Sequence, residues 1–172
     1  MRRLIFLLFF SFCALCGYAQ LYTKIEHFDK FDDVIKEETR KTLITKTDTS
    51  FVIEEKGREP VTYYIVNKSS TDIQGSKDDI VNLVANVYGY QTKRMVVRSD
   101  LIGKYRDAFA KYLQNPSDEN LMLVASFVNY ATHRTITTQY TGTYQTELFW
   151  LEDDPDNSKL GKGVSRIIYS KD

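Results

Sequence analysis

Both cysteines of the chain, Cys13 and Cys16, fall within its first nineteen residues, and that placement decides how the remainder must hold together. Met1 to Ala19 reads as an export signal. Arg2 and Arg3 make a short positive start, Leu4 to Leu15 is an apolar run, and Gly17 and Ala19 put small residues where a signal peptidase reads. The run is too short to stay in a bilayer as a permanent helix. Lipid attachment at Cys16 is the competing way to process such a leader, but bulky Leu15 occupies the position a lipoprotein signal keeps small. Cut after Ala19, the expected mature domain, residues 20–172, has no thiol. An exported domain without disulfides relies on its hydrophobic core, and 153 residues are enough to build one.

Charge narrows the function classes. Arg2 and Arg3 leave with the leader, so 21 basic residues face 23 acidic ones and the mature net charge is −2. A nucleic-acid binder would show a basic surplus or stripe, and neither is present. No integral membrane segment is expected after leader removal. Thiol catalysis and thiolate metal sites are excluded. Eighteen aromatic residues remain, eleven of them tyrosines, which suits half-buried strands and binding faces alike.

The pattern predicts a single α+β domain: an antiparallel sheet of about six to seven strands with three to four helices packed on one face. Phe28, Phe31, Val34 and Ile35 recur at helical spacing, with Asp29 or Asp32 available to cap. Strands are expected at 42–47, 51–55 and 61–67, followed by a polar loop over 67–76. Ser76 and Asp79 suggest a capping box for a helix that Gly89 closes. A strand over 90–98 precedes a helix capped by Ser99, which Asn115-Pro116 ends. Ser117 opens another helix that takes in Val124, Val128 and Ala131. From His133 to Leu151 the period becomes two, with Gly142 as a turn or bulge, and 164–170 returns as a last strand.

Catalytic motifs are scarce. His27 and His133 are the only histidines, and neither belongs to a zinc-binding or nucleophile-elbow pattern, so surface or sheet-end histidines are the expectation. The acidic stretch 152–158 offers oxygen donors suited to calcium, but its spacing fails the EF-hand pattern, and a solvated turn is expected. Acidic doublets such as Asp32-Asp33 and Glu54-Glu55 do not form catalytic pairs, because neighbours on a strand point to opposite faces. Lys93, Arg94, Arg98, Lys104 and Arg106 gather positive charge, with Arg94 and Arg98 on one face of a strand.

The most suggestive row is Tyr140, Tyr144 and Trp150, which share one parity with Thr146 and Leu148; Gln145 and Glu147 take the other. This row is the candidate ligand-binding face. The expected function is that of a small exported, non-enzymatic binding or accessory module of the cell envelope. A protein or glycan would be its partner, and it would need no cofactor. Two alternatives are a carbohydrate- or peptide-binding module using the aromatic strand face and a hydrolase whose acids converge from separate elements.

Overall fold

In the computed structural model, residues 18–75, 86–139, 143–153, 160–161 and 163–171 are described. Eight antiparallel strands follow one another around a closed barrel. They are β1 (Tyr18–Phe28), β2 (Val34–Lys46), β3 (Ser50–Glu55), β4 (Val61–Gly75), β5 (Asn86–Arg98), β6 (Asn129–Gln139), β7 (Thr143–Glu152) and β8 (Arg166–Ser170). Each strand pairs with the next, and β8 closes on β1 through Ile25↔Tyr169 and its neighbours. Closure satisfies the backbone groups that an open sheet leaves along its edges.

This overturns the expected α+β layering. Helical structure among the described residues is confined to the β5–β6 connection: a 3-10 turn at Ser99–Leu101, then α1 (Ile102–Gln114) and α2 (Asp118–Ala125). Two of the sequence signals hold: Ser117 caps α2 by accepting the Asn120 amide, and α1 ends at Asn115. Ser99, expected to cap α1, instead lies in the 3-10 turn, and Leu101 precedes α1 without a side-chain cap. Val128 and Ala131, assigned to that second helix by spacing, instead lie beyond α2, with Ala131 on β6.

The other expected helices are not helices where they can be seen. At 28–35 the chain ends β1, reverses and begins β2. The Asp29 carboxylate accepts the amides of Phe31 and Asp33, the bonds a helix cap would take, but here they close a turn in which Asp32 has φ 66°. Residues 76–85 lie outside the described residues, whereas Asn86 to Gly89 are strand. The polar run 67–75 is also strand, paired residue by residue with β5 as far as Gly75↔Val87. Gly89 is required by close approach, since a Cβ there would sit 2.0 Å from the Thr135 carbonyl oxygen.

The inner face of the barrel carries the core: Tyr22, Ile25, Ile44, Phe51, Ile53, Tyr63, Val96, Ala131, Phe149, Leu151 and Tyr169. Tyr22 and Ile25 are three residues apart yet both fully buried. A register shift against β2 between Tyr22 and Lys24 breaks the alternation there. Exposed Glu37, Lys41, Glu54 and Lys93 lie on the outer face, as their buried or inward neighbours require. No helix of the described residues is long and apolar enough to cross a membrane.

The barrel has two unlike ends. The helical end carries the β1–β2 and β3–β4 turns, the helices, and the β7–β8 connection. At the hairpin end, β4 to β7 run on past their neighbours: β3 begins opposite Tyr64, and β8 ends opposite Leu148. A waist of aromatic rings separates the ends. Phe149 meets Phe51 edge-on at 5.2 Å between centroids and lies 6.4 Å from Tyr22 and 6.0 Å from Tyr169, while Phe51 stacks on Tyr63 at 4.9 Å.

Candidate functional site

The barrel mouth at the helical end holds a cavity of ≈ 270 Å³. Its inner walls are apolar, with Ile53, Leu151, Leu160 and Ile167 supplemented by the rings of Tyr63 and Tyr169. Around them stand His27, Arg40, Glu55, Arg58, Glu59 and Arg98. Strand alternation brings these groups inward: Arg40 is two residues from buried Thr42, and Glu55 is two from buried Ile53. A mouth of this kind, apolar inside with a few polar groups aimed at it, is where barrels hold small ligands.

Arg40 organises the polar side. Its Nη1 lies 2.8 Å from Glu38 Oε2, and its Nη2 lies 3.2 Å from Glu55 Oε1. Glu55 is also held by Arg58 Nη1 at 3.1 Å and accepts the Thr42 hydroxyl at 3.4 Å. Glu38 pairs with His27 Nε2 at 3.1 Å and with Lys36 at 2.6 Å. The hydrogen bond from Lys36, with the charge of Arg40, holds the Glu38 carboxyl below the usual range. Burial, together with the Lys36 and Arg40 charges, keeps the His27 imidazole below its ordinary pKa. Arg98 is committed to Asp100 by two bonds of 2.9 and 3.0 Å. The Arg40 Nε, fully buried, has no hydrogen-bond partner. Burial pushes the Tyr63 hydroxyl up to about 12 and raises that of Tyr169 as well, so both remain neutral donors.

Chemically, the mouth offers charges of both signs, most of them already paired, and two phenol rings around an apolar cavity. Such a set binds and orients. Among the described residues no three His, Cys, Asp or Glu side chains come together to hold a metal ion.

The aromatic row read from the sequence is placed differently. Trp150 lies opposite Thr132 and Ile168, between inward Phe149 and Leu151, and so belongs to the outer wall, where it is half-buried. Tyr144 pairs with Thr138 on β7, but its side chain lies outside the described residues, as does Tyr140 altogether. Gln139 pairs with Thr143, and Gly142, expected as a turn or bulge, lies outside the described residues. Of the acidic stretch, Glu152 ends β7 and Asp153 is buried; 154–159 are outside the description. Arg94 and Arg98 do share a face, and it is the inner one. His133, expected at the surface or a sheet end, is instead a buried inward residue bonded to Glu147.

Sequence reading missed Arg40, Glu55 and Glu147. Their signal was the alternation itself: Glu38, Arg40, Thr42 and Ile44 fall on one parity, as do Phe51, Ile53 and Glu55. Neither a protein-family model, nor a curated protein, nor a solved structure matches the chain.

Proposed function

We propose that this protein is an exported, non-enzymatic binding module that takes one small amphiphilic organic molecule into the mouth at the helical end. The cavity beneath the Arg40–Glu55 pair carries this reading. An apolar body packs on Ile53, Leu151 and Ile167, and a polar end on the ligand meets the charged side chains of the rim. Because most of the surrounding charges are already paired, an uncharged or zwitterionic polar end is favoured over a fully ionic one. Charged side chains around the outer wall support a barrel that faces water, the reverse of the apolar-out alternation of a membrane-spanning barrel.

The test is a thermal-shift screen against small alcohols, amides, amino acids and monosaccharides. A ligand at a hundred times its Kd stabilises by about 2.7 kcal/mol, enough to read as several degrees. The variant Val61→Trp, at the half-open rim, blocks the mouth without touching the core and should abolish the shift. A shift that survives Val61→Trp, or that is lost in Trp150→Ala instead, would move the site to the outer aromatic face.

A further inference from the structure

The hairpin end of the barrel interior gathers a second cluster of polar side chains, on the far side of the aromatic waist. Four elements contribute to it: Lys46 from β2, Arg94 from β5, Glu147 from β7, and Lys171 just past β8. Each is near enough to its neighbours to perturb their ionisation. Lys171 bonds one oxygen of Glu147, and His133 Nε2 lies 2.8 Å from the other. The Tyr22 hydroxyl approaches that second oxygen at 3.5 Å. With that carboxylate thus occupied, the remaining cations have no acid of their own among the described residues. Lys46 bonds the neutral amide oxygen of Gln20 and sits 5.7 Å from the Phe149 ring centroid. Arg94 Nη1 is fully buried without a hydrogen-bond partner. At the outer rim the register adds one charge of each sign, Lys68 opposite Arg94 and Asp72 opposite Tyr90, both exposed.

Two interior cations, Lys46 and Arg94, with exposed Lys171 at the edge, against one carboxylate is an imbalance that water does not relieve for the buried guanidinium nitrogen. From it we infer that this cluster is a binding site for a small oxyanion, a phosphate or a carboxylate, held between Arg94 and Lys46. Hydroxyls stand ready beside it, since Thr92 is buried on the same inner face of β5 and bonds Ser70 at 3.2 Å. The site is separate from the helical-end mouth and takes different chemistry: there Arg40, Arg58 and Arg98 each have a carboxylate partner, whereas Lys46 and Arg94 have none among the described residues. Arriving charge draws a proton onto Lys46, which burial and the cations Arg94 and Lys171 otherwise hold near neutrality against the pull of Glu147. His133, pressed towards its neutral form by burial, Lys46 and Arg94, gains from the same neutralisation.

Isothermal titration of the protein with inorganic phosphate, and separately with acetate, in a low-chloride buffer at pH 7.5 tests the site. Binding of either anion is expected, and the arm that binds names the oxyanion. Arg94→Gln should weaken it about ten- to a hundred-fold, as loss of a charge-assisted hydrogen bond does. Lys93→Gln removes the same charge from the exposed outer wall of the same strand and should change affinity less than about twofold. Lys46→Met provides a second lesion on a different strand, with the same expected loss. Repeating the titration in buffers of different ionisation enthalpy should reveal proton uptake that vanishes in Lys46→Met. Absence of heat with both anions overturns the inference. So does equal weakening by Lys93→Gln, which would mark a general charge effect.

Discussion

His133 Nε2 and Glu147 Oε1 face each other at 2.8 Å across paired strands, both turned into the barrel. With the imidazole held below its ordinary pKa, it is a neutral ring donating Nε2–H to the carboxylate. Burial alone would raise the Glu147 pKa, but the bonds from Lys171 and His133 outweigh it and hold the group below the usual carboxylate range. Glu147→Gln would leave Lys46, Arg94 and Lys171 together without their acid. A loss of about 2–4 kcal/mol is expected in urea denaturation, as for breaking a buried pair from one side. A loss under 0.5 kcal/mol would show the cations to be solvated.

The pH dependence of stability follows from groups whose pKa values fall on folding. Lys46 drops to about 7 from 10.5, because burial and the charges of Arg94 and Lys171 oppose its cation more than Glu147 supports it. Between those values the unfolded chain holds a proton that the folded one lacks, so stability should rise with pH from 7 towards 9. The slope, discounted for partial solvation, should be about 1 kcal/mol per unit. His27 and His133, also lowered, contribute stability above 6.5 that is lost as pH falls below it, since the unfolded chain protonates first. Lys46→Met should flatten the rise above pH 7 and leave the acid limb in place. Guanidinium melts at half-unit pH steps would show it, and an unchanged alkaline slope would remove Lys46 from this account.

Much of the strand content was legible in the sequence, because Thr42 to Lys46, Phe51 to Glu55 and Tyr90 to Arg98 alternate and carry β-branched and aromatic residues. Closure was not legible. It depends on β8 meeting β1, a pairing of residues more than a hundred positions apart that leaves no local signature. The same blindness displaced the candidate site. A period-two strand reveals two faces but not which one is inside, and on β7 the row offered as a binding face lies on the outer wall where it is described, at Trp150. There Phe149 and Leu151 take the inward parity, and Glu147 goes in with them while Trp150 goes out. The polar run 67–75 reads as a loop because it lacks apolar residues, yet pairing with β5 suffices to make it strand. Tertiary pairing there overrode composition.

Two glycines should respond in opposite directions to the same change. An alanine methyl at position 89 would collide with the Thr135 backbone, which cannot move without opening the β5–β6 ladder. Gly89→Ala is expected to destabilise by more than about 2 kcal/mol, in the range of overpacked interiors. Gly103, in the first turn of α1, has nothing within 4 Å of the added methyl. Gly103→Ala should stabilise by about 0.5–1 kcal/mol through the unfolded chain's lost freedom. Matched thermal melts suffice, and a stabilising Gly89→Ala would contradict the strand pairing at that point.

Phe149 is fully buried where the rings of Tyr22, Phe51 and Tyr169 converge, and it stands between the helical-end mouth and the charged cluster around Glu147. Removing the ring deletes both the burial and the surface on which Lys46 rests. Phe149→Ala should therefore cost about 3–5 kcal/mol, the range for a large core side chain whose neighbours, themselves fixed by strand pairing, relax only partly. A change confined to the core lowers the urea midpoint and leaves the slope of the transition unaltered. Phe149→Leu refills most of the volume without a π-face, so its remaining deficit bounds what the ring gives to Lys46 and to the neighbouring rings, of which about 0.5–2 kcal/mol is expected from Lys46. If Phe149→Leu is as stable as the wild type, the waist acts through volume alone, and Lys46 draws nothing from the ring beneath it.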